Sequence, residues 1–258
     1  MNSFNRLCAT LLVLALSGCT VFSPSSGSTA RVDQSALAAY TKLGMQYLQA
    51  GDTASAKESL QRASLSDPSY APALNGLALT FQVENEAELA DSYFQRATKA
   101  DPNSAMIFNN YGAFLFSQRR YQEACAALSR STEDPFYTQR AQAFENLGRC
   151  YRLIDRPDAA EFVLKRAISL SPDRTSAHIE LADLYLIQSK QALAADHFAV
   201  FQNQLDAGEA QHFAKSLWVG VRLARLSNNP AKAVSYALLL RNLYPSSEEY
   251  KNYKESGQ

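Results

Sequence analysis

Residues 71–104 read APALNGLALTFQVENEAELADSYFQRATKADPNS. Leu74, Leu77, Ala78 and Phe81 recur at helical spacing, then Ala90, Phe94 and Ala97, and the stretch closes at Pro102. Thirty-four residues upstream the same order appears as Tyr40, Leu43, Gly44, Tyr47, Ala56, Leu60, Ala63 and Pro68. Downstream it returns as Phe108, Tyr111, Gly112, Leu115, Ala124 and Leu128. A further copy runs Phe144, Leu147, Gly148, Tyr151, Ala160, Leu164, Ala167 and Pro172. A fifth copy has Leu181, Ala182, Tyr185, Ala194 and Phe198. A sixth is degenerate, with Ala233 and Pro245 in register and Gly220 one position early.

This period is the signature of the tetratricopeptide repeat, a helix–turn–helix unit. It predicts an all-α fold, a right-handed superhelical solenoid of about six repeats. Their limits lie near 37–70, 71–104, 105–140, 141–174, 175–208 and 214–247, within a domain spanning 37–258. Small residues such as Gly44 and Gly148 let the two helices of a hairpin approach, large ones such as Tyr47 and Phe81 fill the gaps, and the prolines end the second helix. Stacked hairpins offer an extended binding surface.

The start of the chain carries an address. Arg6 precedes an apolar run from Leu7 to Leu16 that is too short to span a bilayer, so residues 1–18 read as a signal peptide. The run ends in Leu16-Ser17-Gly18-Cys19, which resembles the bacterial lipobox and makes Cys19 the lipidation site. Thr20 follows, not Asp, which by resemblance to enterobacterial sorting favours the outer membrane. Residues 19–36, rich in Ser, Thr, Gly and Pro, form the expected lipidated flexible tether.

The whole chain has 25 basic and 25 acidic residues. That balance argues against a nucleic-acid partner. His178, His197 and His212 lack metal-ligand spacing, and there is no P-loop, dinucleotide turn or nucleophile elbow. Scattered carboxylates such as Glu145 and Glu161 read as solvated helix faces. The expectation is therefore a protein that is not an enzyme, with no metal, cofactor or small-molecule substrate. Cys125 and Cys150 fall on adjacent helices of repeats three and four. They are either a disulfide, which an oxidising compartment favours, or two buried small side chains.

In each repeat, positions 2, 5, 9 and 12 of the first helix form a stripe separate from the core positions. The stripe is Ala38, Thr41, Met45 and Leu48 in repeat one, and Pro72, Asn75, Leu79 and Gln82 in repeat two. Repeat three gives Met106, Asn109, Ala113 and Phe116, and repeat four turns charged with Gln142, Glu145, Arg149 and Arg152. Met45, Leu48, Asn75, Leu79, Asn109 and Phe116 are the candidate partner-binding groove, an apolar surface on which asparagines can clamp a peptide backbone.

The lipobox, tether and repeats together resemble the type IV pilus pilotin family (PilF/PilW). The resemblance is carried by Asn109-Asn110-Tyr111-Gly112-Ala113-Phe114-Leu115, Arg120-Tyr121-Gln122-Glu123-Ala124, Phe144-Glu145-Asn146-Leu147-Gly148, Gly220-Val221-Arg222-Leu223-Ala224 and Leu243-Tyr244-Pro245. It implies an outer-membrane lipoprotein, facing the periplasm and anchored in the inner leaflet through Cys19. Such a protein helps the pilus secretin reach that membrane and assemble its ring, supporting twitching motility. A cysteine pair joining repeats three and four also occurs in some members. The competing reading is a repeat lipoprotein that organises cell-wall enzymes or outer-membrane protein assembly.

Overall fold

The computed structural model describes residues 33–257. Among these residues there are thirteen α-helices and no strands. Twelve form six antiparallel hairpins: α1 (Gln34–Gln49) with α2 (Thr53–Ser66), α3 (Ala71–Val83) with α4 (Ala87–Ala100), α5 (Ala105–Ser117) with α6 (Tyr121–Ser131), α7 (Arg140–Leu153) with α8 (Pro157–Leu170), α9 (Thr175–Ile187) with α10 (Gln191–Asp206), and α11 (Ala214–Leu226) with α12 (Pro230–Leu243). The last helix is α13 (Glu248–Glu255). The signal peptide, Cys19 and most of the expected tether lie outside the described residues. The tether prediction ran too far: Gln34, Ser35 and Ala36 are helical and form the first turn of α1, ahead of the buried Leu37.

The hairpins share one turn. Gly51, Asn85, Arg119, Asp155, Ser189 and Asn228 all occupy the left-handed region, with φ between 52° and 81°. The residue after each donates its N–H back to the carbonyl five residues earlier, as in Glu86 to Phe81 and Arg156 to Tyr151, both 2.9 Å. This is the Schellman closure, which satisfies carbonyls at the helix end. Only the first turn uses glycine, so the other five side chains carry the strain of positive φ.

Each hairpin is interlocked by a small residue on the first helix and a large one sixteen residues on. A Cβ added at Gly148 would lie 2.5 Å from Leu164 Cγ, and one at Gly220 would lie 2.8 Å from the Tyr236 ring. The sixth hairpin therefore keeps the interlock although both partners sit one position early. Its turn residue Asn228 remains in register.

First helices touch the next first helix along the array, from α1 and α3 through to α9 and α11. Second helices touch their own partner and the next first helix, but no other second helix among the described residues. Stacking is thus closer on the first-helix side, and the solenoid curves toward it. That side is the concave face. The fold is the expected right-handed tetratricopeptide-repeat solenoid. α13 starts one repeat period after α11 and packs on α11 and α12 as a further first helix would. Tyr253 meets Trp218 edge-on, with ring centroids 6.4 Å apart. The sequence of α13, EEYKNYKE, carries no aliphatic stripe and so no repeat signature. It shields α11 with tyrosines and shows charge to solvent, as a terminal cap requires.

Arg119→Gly and Ser189→Gly will each raise stability by about 0.5–1 kcal/mol by relieving positive φ. Gly148→Val will lower it by about 3 kcal/mol through overpacking against Leu164. Urea unfolding monitored by circular dichroism checks both signs.

Candidate partner-binding groove

The concave face is built from α1, α3, α5, α7, α9 and α11, and its chemistry changes along the array. Met45, Leu48, Leu79 and Phe116 are half-buried on it. Leu48 packs against the small core around Ala56, Leu60 and Leu77. Leu79 and Phe116 pack against the larger core centred on α5. More of the apolar surface open to solvent comes from Met106, which is 43% exposed, and from Ala113. Phe116, Ala113, Asn146 and Arg149 surround a cleft of about 140 Å³ between α5 and α7. The Arg149 guanidinium lies 5.6 Å from the Phe116 ring centre, so the apolar stretch ends against a cation.

Asn75 and Asn109 behave differently from expectation. They are 3% and 5% exposed, and their Oδ1 atoms are taken. Asn110 Nδ2 donates to Asn75 Oδ1 at 3.2 Å, and Asn146 Nδ2 donates to Asn109 Oδ1 at 3.1 Å. Each pair ties one first helix to the next, so these side chains are rungs between repeats before they are peptide clamps. Their amide N–H groups and the second lone pair of each Oδ1 remain to meet a ligand. The rung before them is incomplete: Thr41 is buried and its Oγ1 has no partner, because Gly76 stands where later repeats carry asparagine.

Past α7 the rungs become ionic. Glu145 accepts from Arg174 Nε and from Ser176 Oγ. Arg152 reaches both Glu180 and Asp183 on α9. Lys215 and Arg222 on α11 bind the other oxygens of the same two carboxylates, each at 2.6 Å. Burial opposes the Arg152 charge, but Asp183 and Glu180 outweigh it and hold its pKa above the usual value. Glu145 is therefore not solvated, and Glu161 is only partly so. Glu145 is buried and paired, and Glu161 accepts from Tyr185 and Lys165. Extending the stripe to repeat five would have found Asp183 at position 9.

Cys125 and Cys150 form a disulfide across the α6–α7 junction, with Cα atoms 5.6 Å apart. His178 and His197, distant in sequence, face one another inside hairpin five with Nδ1 atoms 2.9 Å apart. They occupy positions 4 and 23, where the neighbouring repeat four has Phe144 and Val163. His178 Nε2 lies 3.1 Å from the Pro172 carbonyl, which accepts its proton and leaves Nδ1 to accept from His197. Among the described residues, no three His, Cys, Asp or Glu side chains are placed to hold a metal ion.

Comparison with known proteins matches this architecture. Models of the tetratricopeptide repeat match residues 37–70 and 103–173. Type IV pilus assembly protein PilF of Pseudomonas aeruginosa is 36% identical over 245 residues, 95% of each chain. The chain belongs to the PilF family. The solved structure of Pseudomonas aeruginosa PilF superposes with a TM-score of 0.75 at 36% identity, covering 86% of this chain and 98% of that one. The structure of PilW, a widely conserved type IV pilus biogenesis factor, gives 0.72 at 28% identity, covering 86% and 99%. The protein is thus a type IV pilus biogenesis protein built of tetratricopeptide repeats, in a scaffold family whose members bind proteins.

Two outcomes test the polar groups. Arg152→Ala removes one of the cations on each buried carboxylate, leaving Glu180 to Lys215 and Asp183 to Arg222, and will cost about 1.5–3 kcal/mol, read as a lower urea midpoint. Burial holds the pKa values of His178 and His197 below the usual 6.5, with like charge from His178 and Lys165 adding to the effect at His197. Below pH 6.5 the unfolded chain takes up these protons first. Their contribution is therefore complete above that pH and is lost as pH falls through the folded values. Replacing both, His178→Phe with His197→Val, will flatten the decline in melting temperature between about pH 7 and 5.

Proposed function

We propose that this protein is an outer-membrane pilotin, lipidated at Cys19 and facing the periplasm, that binds the pilus secretin and promotes its outer-membrane localisation and multimerisation. The observation that carries the reading is likeness to a pilus assembly protein over 95% of both chains, not over the repeats alone. The lipobox supplies the membrane address. Cys19 bears the acyl chains, and more than one chain suffices for stable anchoring. Confinement to one surface raises the effective concentration of bound secretin subunits, which favours ring closure. The protein acts by binding and positioning, with no catalytic step.

The contact falls on the apolar part of the concave face. Met45, Leu48, Leu79, Met106 and Phe116 take apolar side chains from an extended or helical secretin segment. The amide N–H groups of Asn75 and Asn109 remain for its backbone carbonyls. Arg149, whose Nε lies 3.4 Å from Glu180, closes one end against the Phe116 ring.

Purified secretin subunit and this protein, mixed in detergent and followed by interferometry, test the groove. Ala113→Glu with Met106→Ala, both at exposed positions, is expected to weaken binding at least tenfold while leaving the melting curve in place. Unchanged binding would remove the concave face from the contact. Labelling cells with an alkyne palmitate will mark the wild type and not Cys19→Ala.

A further inference from the structure

One position of the repeat, the fifth residue of each second helix, ties its hairpin to the next. Lys57 pairs with Glu84 at 2.8 Å. Asp91 pairs with Arg120 at 3.0 Å and accepts from Tyr111 at 2.9 Å. Cys125 bonds to Cys150. Glu161 accepts from Tyr185 at 3.0 Å and lies 3.7 Å from Lys190. The chemistry differs at every junction, yet four consecutive junctions are closed by that position.

At the fifth junction the equivalent residue is Ala195, which is exposed. A cleft of about 430 Å³ opens there between α10 and the α11–α12 hairpin, within the size range of sites that receive ligand groups. Phe198, Leu223 and Tyr236 line it, with Leu226 and Lys232 also on its wall. Its polar groups are the side chains of Gln191, Gln202, Ser227 and Lys232 and the Tyr236 hydroxyl, which accepts from Gln202 Nε2 at 3.0 Å, and its lining includes no carboxylate. Lys232 is exposed and has no acidic partner among the described residues, although its ammonium lies 5.9 Å from the Tyr236 ring centre.

We infer that this cleft is a second docking site, separate from the concave groove, for a protein segment carrying a large apolar side chain beside an acidic one. The apolar side chain takes the volume that a longer residue at Ala195 would fill. The carboxylate pairs with Lys232 beside Ala195, the one position that makes no tie here, although Gln202 Nε2 donates to the Tyr236 hydroxyl at 3.0 Å and the α9–α11 ion pairs join the same two hairpins. The occupant's sign follows from the cleft itself: one free cation and no anion among the lining residues. The site lies on the fifth junction, whereas the apolar groove lies on α1, α3 and α5. One scaffold can therefore hold two different segments at once.

The test uses a fluorescein-labelled tetrapeptide, acetyl-Glu-Leu-Phe-Glu-amide, titrated with the protein and followed by anisotropy. Saturable binding is expected, about tenfold weaker for Lys232→Gln and for the uncharged peptide acetyl-Gln-Leu-Phe-Gln-amide. Ala195→Trp, which fills the cleft from an exposed position, will abolish it. Phe116→Ala, in the groove, will leave it unchanged. Lys232→Gln changes an exposed side chain and removes no buried packing, so its loss of affinity is readable even if Ala195→Trp shifts the melting curve. No saturation up to about 1 mM peptide, or equal affinity for the wild type and Lys232→Gln, would overturn the site. Loss of binding in Phe116→Ala alone would place the peptide in the groove and overturn it as well.

Discussion

Every hairpin in this protein depends on one steric constraint: a large side chain on the second helix must occupy the place where the first helix has little or no side chain. At Gly148 that occupant is Leu164, and at Gly220 it is Tyr236. Close approach at this point sets how the two helices cross, and so where the remaining positions of the repeat face. Core residues, rungs and junction ties then follow at fixed offsets. Sixteen residues separate the partners even in the sixth hairpin, where both have moved by one. The separation is conserved inside the molecule, while the register is not.

This constraint explains why the fold was legible. Small-to-large spacing, Ala at the start of second helices and a closing proline are all visible as residue types at fixed intervals. The shared turn was not legible, because Gly, Asn, Arg, Asp and Ser all serve as its left-handed residue and have no common side chain. The cap α13 escaped because an amphipathic pattern of tyrosine and charge, eight residues long, does not resemble the aliphatic stripe of the repeats.

The site was legible in part. Met45, Leu48, Leu79 and Phe116 lie on first helices, where they are half-buried. Asn75 and Asn109 lie on the same first helices, but their neighbours Asn110 and Asn146 each take one of the four hydrogen bonds such a side chain can make. Stripe geometry gives direction, not occupancy, and occupancy depended on residues one repeat away. For the same reason, Arg152 looked like free groove charge until Glu180 and Asp183 were placed opposite it. The concave face thus has a soft, apolar N-terminal half and a C-terminal half locked by ion pairs. The first half is suited to accept a partner segment, and the second to hold the superhelix in one shape. The disulfide at Cys125–Cys150 lies between them and adds about 3 kcal/mol by restricting the unfolded chain.

The central claim is that lipid anchorage and the repeat scaffold act together to deliver a secretin to the outer membrane. The most direct measurement separates inner and outer membranes from cells that lack the protein, or that carry the wild type or Cys19→Ala, and follows the heat-resistant secretin multimer by immunoblot. The account predicts multimer in the outer membrane only with the wild type, and loss or inner-membrane accumulation with Cys19→Ala. Normal outer-membrane multimer in cells lacking the protein altogether would contradict it.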